Sequence, residues 1–242
     1  MKASQNASDG SKYIRDLTKA FALDELDLKC NKVSAIFESR LYKDSVNQNE
    51  SHAWTPMNEL DWAGFKLTSI QPGVFNEFKQ LKCLDLSGNI FEQLDKNSFV
   101  GLENLHELKL TAINLIHIGA HLWTHLGQVK KLDLSFNLIT ELDASSFFGL
   151  ANLEELNLQH NCLTRIDAHT FDDLKQLKIL DLDSNRIESI DERAFEGLVN
   201  LKEIHLHDNH LVERYLDSEK GLMIFNENNY YKLTASWLLK CN

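Results

Sequence analysis

His205 and His207 follow Asp181 and Asp183 at a separation of 24 residues. Imidazole nitrogens and carboxylate oxygens gathered on neighbouring strands can ligate a divalent ion, or titrate together as a pH sensor. The competing reading is a solvated polar surface. On residue types alone that is the expectation, and no metal ligands are assigned. Other chemistry finds less footing, for there is no glycine-rich phosphate loop, nucleophile elbow or Cys/His zinc spacing. Cys30, Cys83, Cys162 and Cys241 are scattered along the chain without a Cys-x-x-Cys pair. No catalytic residue and no cofactor are assigned.

The polar residues that remain form columns. Asp27, Asp61, Asp85, Lys109, Asp133, Asn157, Asp181 and His205 recur at equivalent positions, flanked by Glu107 and Glu155 on one side and Asp183 and His207 on the other. Stacked carboxylates make a negative stripe that attracts Lys- or Arg-rich surfaces. Because the wording Leu-Asp-Leu recurs with the repeat, the column is either a tuned site or inherited consensus. Phe136 and His160 stand near its edge, and exposed aromatics are frequent anchors of interfaces. The expected partner-binding set is therefore Asp85, Glu107, Lys109, Asp133, Phe136, Glu155, Asn157, His160, Asp181, Asp183, His205 and His207.

What positions these residues is one phrase, Leu-x-x-Leu-x-Leu-x-x-Asn-x-Leu/Ile, returning every 24 residues. Leu81, Leu84, Leu86 and Asn89 carry one copy; Leu153, Leu156, Leu158 and Asn161 carry another. Eight copies begin at residues 23, 57, 81, 105, 129, 153, 177 and 201, with roughly ten extra residues in the first, placed near Ser45–His52. Within each copy the paired leucines alternate at period two, so both face inward from a short strand while the residue between them faces out. The second half carries an aromatic and a leucine, as in Phe147 and Leu150. Stretches such as Asn97–Leu102 and Ala144–Leu150 read as helical turns closed by glycine. This layer is thicker than the strand layer, so the stack bends with the strands inside.

Asn31, Asn89, Asn137, Asn161, Asn185 and Asn209 form an expected ladder, each carboxamide satisfying backbone groups where strand becomes loop and stacking on the next Asn. Phe65 and Ile113 replace it in two copies, where local irregularity is expected. Residues 1–22 are an N-terminal segment, either a helical cap or part of an earlier repeat. The repeat domain spans 23–222, and 223–242 forms a tail or cap whose aromatics cover the last coil.

A fixed period of this kind is the signature of a solenoid. Over residues 23 to about 222 the chain resembles the leucine-rich repeat superfamily. It is most similar to the 24-residue class with the phrase Phe-x-x-Leu-x-x-Leu-x-x-Leu-x-Leu-x-x-Asn, which Phe147–Asn161 and Phe171–Asn185 match. The class occurs in Toll-like receptor ectodomains, Slit-type guidance proteins and small matrix proteoglycans. The resemblance implies an α/β solenoid, a right-handed horseshoe with a parallel sheet on the concave face and helical turns or loops on the convex one. It also implies a non-catalytic, extracellular or cell-surface module that recognises proteins or peptides.

Composition bounds the partner. A formal net charge of -11 disfavours nucleic acid and anionic membranes and suits a basic protein or peptide. The longest apolar runs are only a few residues, so no transmembrane span is expected. The opening residues lack a signal-peptide pattern and the cysteines lack the clustering of secreted end caps, so an intracellular adaptor or regulatory subunit is the alternative. Asn6-Ala7-Ser8 and Asn49-Glu50-Ser51 are glycosylation sequons that matter if the chain is secreted. Oligomeric state is not assigned.

Overall fold

The computed structural model describes residues 58–211, apart from Gln71 and Glu77. The repeat beginning at 23 with its Asn31, the flanking segments 1–22 and 223–242, and the sequons at Asn6 and Asn49 lie outside the described residues.

Alternating apolar residues give each described copy a three-residue strand with a buried centre. These strands are β1 Glu59–Asp61, β2 Cys83–Asp85, β3 Glu107–Lys109, β4 Lys131–Asp133, β5 Glu155–Asn157, β7 Ile179–Asp181 and β9 Glu203–His205. They join in one parallel sheet of order β1-β2-β3-β4-β5-β7-β9. Each residue pairs with its equivalent in the next repeat, so Leu60 faces Leu84, Leu108 faces Leu132 and Leu180 faces Ile204. Parallel neighbours cannot be joined by a tight hairpin. The rest of every repeat is the crossover, and its return to the sheet makes one coil of the solenoid.

Inside the coil, the inward leucines of the sheet meet a spine of aromatic rings. Phe99 stacks on Trp123 at 6.0 Å between centroids, Phe147 on Phe171 at 5.6 Å, and Phe171 on Phe195 at 6.0 Å. All of these rings are buried. Offset ring pairs at such separations add stabilisation beyond their burial. The Trp123 indole also donates to the Ser146 carbonyl of the next repeat at 2.7 Å.

The convex layer is one of turns and loops, as expected. It is built of successive turns, with the Leu102 amide donating to the Phe99 carbonyl and the Leu105 amide to the Leu102 carbonyl. The described residues contain no regular helix there. A helix needs its dihedrals to repeat, and Gly101, Gly149 and Gly197 interrupt them with φ of 99°, 103° and 80°. A Cβ on Gly149 would stand 2.8 Å from the Trp123 carbonyl oxygen, so this position also lets one turn settle on the one before it. A second, two-stranded sheet of β6 Arg165–Ile166 and β8 Ser189–Ile190 lies on the path from the main sheet to the turns.

The asparagine ladder forms, but between side chain and backbone rather than between carboxamides. Asn161 accepts from the Ile139 amide at 3.0 Å and donates to the carbonyls of Leu134 and Leu158, each at 3.0 Å. Asn89, Asn137, Asn185 and Asn209 repeat the pattern. The reason is capacity: one carboxamide has two donors and one acceptor oxygen, and backbone groups of two coils use them all. Where Phe65 and Ile113 replace the Asn, an additional left-handed residue follows, Lys66 (φ 57°) and Asn114 (φ 61°). The neighbouring Asn137 covers part of the second gap by accepting from both the Ile113 and Leu115 amides.

Candidate protein-binding face

The register of the sheet places the expected residues in columns. Asp85, Lys109, Asp133, Asn157, Asp181 and His205 occupy the central one in direct succession. Cys83, Glu107, Lys131, Glu155, Ile179 and Glu203 lie beside them. Parallel strands about 4.7–4.9 Å apart make such columns continuous.

Each described Asp or Asn of the central column has a backbone task. Asp61, Asp85, Asp133, Asn157 and Asp181 accept, through Oδ1, the amide two residues further on at 2.9–3.0 Å. This Asx turn bends the chain out of the strand. Lys109 has no acceptor, and the His205 imidazole is turned to Asp181 and Glu203, so the preceding repeat substitutes for both. Ser87 Oγ takes the Thr111 amide at 3.2 Å, and Asp183 Oδ1 takes the His207 amide at 2.6 Å. The aspartate column is therefore part of how the strands end, whatever else it does.

The negative stripe is also broken by lysines. Lys109 Nζ lies 3.4 Å from Glu107 and 4.0 Å from Asp85, and Lys131 Nζ lies 2.9 Å from Glu155. Burial works against the Lys109 ammonium, but Glu107, Asp85 and Asp133 outweigh it and hold its pKa above the usual lysine value. The hydrogen bond to Glu155 does the same for Lys131. Outside the columns, Lys178 and Lys130 hold the Glu154 carboxyl below its ordinary range.

Towards the last described repeats this compensation disappears. Asp181 Oδ2 meets His205 Nδ1 at 3.6 Å, while His205 Nε2 faces Glu203 at 3.6 Å. Ligand atoms of Asp181, Asp183 and His205 all lie within 4.8 Å of one another. Burial pushes the Asp183 carboxyl up; Asp181 adds to the rise, and the His207 amide opposes it. The four residues noted for this chemistry are thus brought together unequally, with His207 outside the triad.

Phe136 and His160 meet on the same side, their rings stacked at 4.3 Å and 26°. Both are exposed, Phe136 to 54%. Their backbones are left-handed, with φ of 56° and 53°. That conformation belongs to the slot, since Gly64, Gly88, Ala112, Ser184 and Asp208 share it in other repeats. Their amides extend the ladder by donating to Gln159 and Asp183 carbonyls. A bulky residue is uncommon in this region of φ/ψ space. Two neighbouring repeats nonetheless present rings there.

Sequence reasoning missed two sets of residues. One is this left-handed slot, whose only visible signals are Gly64 and Gly88. The other is a side-chain staple across the turn layer, where Asn104, Asn152 and Asn200 donate to the Lys79, Gly127 and Lys175 carbonyls. Their spacing of two repeats was available in the sequence.

The family model for the leucine rich repeat matches residues 58–116, 127–187 and 161–211, together more than half of the chain. Among solved structures, the chain is similar to TLR13 in its complex with ssRNA13. The TM-score is 0.56 at 26% identity, over 66% of this chain and 26% of that one. It is also similar to a chain of the Drosophila Toll–Spatzle complex, with a TM-score of 0.44 at 20% identity over 63% of this chain and 27% of that one. This chain therefore spans about a quarter of each of those chains. No curated protein matches it significantly by sequence.

Proposed function

Since the chain belongs to the leucine-rich repeat family, we propose that it is a non-catalytic recognition module gripping a protein or peptide on the concave sheet face. The observation that carries this reading is the stacked Phe136–His160 pair, whose rings remain exposed beside the polar columns. Aromatic side chains in water just past the strand ends contribute nothing to the core and are well suited to anchor a partner. Around them the carboxylates of Asp133 and Asp181 favour a partner with Lys or Arg at its rim.

The TLR13 structure is of a complex with ssRNA13, so nucleic acid is a class to be tested against this one. The net charge of -11 favours protein, because phosphate backbones reward basic patches. The resemblance to receptor and matrix repeats supports extracellular placement, and sugar on Asn6 or Asn49 in native protein is its direct check. Among the described residues no helix is long and apolar enough to cross a membrane.

The test is affinity capture on the whole chain, run in parallel with Phe136→Ala/His160→Ala and with Asp133→Asn. The asparagine keeps the Oδ1 acceptor of the Asx turn and removes only the charge, as Asn157 does naturally. The expected result is a protein partner lost on ring removal, with about 2 kcal/mol of binding at stake. The charge variant is expected to weaken binding chiefly at low salt. Undiminished capture by the ring variant, or recovery of RNA alone, defeats the reading.

A further inference from the structure

We propose that Asp181, Asp183 and His205 form a binding site for a divalent transition-metal ion of the zinc type. This is independent of which partner the face binds, and it departs from the sequence expectation of a plain solvated surface.

Asp181 and His205 are direct partners in the parallel ladder, so their side chains leave adjacent strands side by side. Asp183 follows Asp181 by two residues, and its carboxylate comes within reach of the pair. Two carboxylates and one imidazole thereby offer ligand atoms within 4.8 Å of one another. Zinc-type ions hold N and O ligands at about 2.0–2.2 Å, which places ligand atoms roughly 3.3 Å apart in a tetrahedron. Closing the triad needs movements of about 1 Å in side chains that are only partly buried, which small χ adjustments supply.

The surroundings point the same way. One oxygen of each carboxylate is already held, Asp181 Oδ1 by the Asp183 amide at 3.0 Å and Asp183 Oδ1 by the His207 amide at 2.6 Å. Each carboxylate is thus oriented and keeps a second oxygen for an ion. His205 turns Nδ1 to Asp181 and Nε2 to Glu203, each at 3.6 Å. A carboxylate behind an imidazole, fixing which nitrogen carries the proton, is the usual arrangement behind a metal-bound histidine.

Charge supplies a further argument. Glu107, Asp85 and Glu155 have lysine partners on this face. Among the described residues no lysine or arginine forms an ion pair with Asp181 or Asp183. Two adjacent carboxylates without a permanent cation leave a charge for a bound ion to neutralise. The imidazole in the set selects zinc-type ions over calcium and magnesium, which take oxygen ligands. The ion's remaining positions would face solvent.

The probe is Co²⁺, followed by visible absorption, with Zn²⁺ as competitor by calorimetry, on the chelator-treated whole chain. The expected result is one Co²⁺ per chain, displaced by Zn²⁺. His205→Ala and Asp181→Asn should weaken binding more than tenfold, and Glu203→Gln by about tenfold or more. Asp181→Asn retains the Asx-turn acceptor, so its melting curve should stay close to that of the parent and separates loss of a ligand from loss of fold. Asp133→Asn, elsewhere on the face, should bind as the parent does. Absence of Co²⁺ uptake overturns the proposal. So does uptake that survives His205→Ala, or that disappears only when Cys83 or Cys162 is changed to serine.

Discussion

A carboxylate in this chain is as much a turn-maker as a charge. Asp143 shows this away from the main sheet. Its Oδ1 accepts from the Ser145 amide and hydroxyl, each at 2.8 Å, and its own amide donates to Ser146 Oγ at 2.8 Å. The Ser145 hydroxyl contributes most to lowering its pKa, outweighing the opposing effect of burial. A carboxyl depressed in the folded state binds its proton more readily when unfolded. Its contribution is therefore complete above the unfolded value of about 4 and is lost as pH falls through the folded value. Asp143→Ala should cost on the order of 1 kcal/mol at neutral pH, as the loss of a side-chain cap does. The difference between parent and variant should shrink below about pH 4. Thermal melts of both proteins from pH 7 to pH 2.5 test this; a gap that persists unchanged into acid rules out ionisation as the source.

At the scale of one coil, the element that matters is the asparagine bridge. Asn161 is buried and joins its own strand end to the repeat before it through the Ile139 amide and the Leu134 carbonyl. Asn161→Ala leaves these groups buried and unpaired, at about 1–3 kcal/mol each, so a loss of roughly 3 kcal/mol or more is expected. Asn209 bridges in the same way but is only part-buried, and Asn209→Ala should cost distinctly less. Denaturant titration of the two variants decides it, and equal losses would remove burial from the explanation. The sequence made this element readable because Asn89, Asn137, Asn161, Asn185 and Asn209 share one slot in an apolar frame. The Asx turns, the left-handed slot and the β6–β8 pairing were not readable. They are set by backbone dihedrals, which residues as different as Gly88, Phe136 and Asp208 adopt alike. The candidate site divides along the same line. Adding 24 to Phe136 gives His160, so their adjacency could be foreseen. The approach of His205 Nδ1 to Asp181 depends on rotamers, and a repeat period carries no information about those.

Taken as a whole molecule, the described chain closes its turns within a coil but makes its sheet, asparagine and ring contacts between coils. The amide that opens each strand donates to the previous repeat and the one just past it to the next, Asn side chains reach back to the previous repeat, and the aromatic spine passes from coil to coil. A single coil exposes both of its faces and cannot bury enough apolar area to offset the ordering of its backbone. Stability therefore belongs to contacts between neighbours. Leu156, at the centre of β5, is buried against its equivalents in β4 and β7. Leu156→Ala removes apolar contact from both junctions and should cost about 2–5 kcal/mol. If the described repeats open as one cooperative unit, amide exchange should accelerate by the same free energy at Leu84 in β2 and at Ile204 in β9, although neither residue pairs with Leu156. Unequal acceleration, confined to β4, β5 and β7, would mean that the stack opens from the damaged junction outwards and that coupling decays along it. Residue-resolved hydrogen exchange on parent and variant distinguishes these outcomes. The uniform result is the one expected, because seven strands in a single register leave no weaker junction within the main sheet at which an opening could stop.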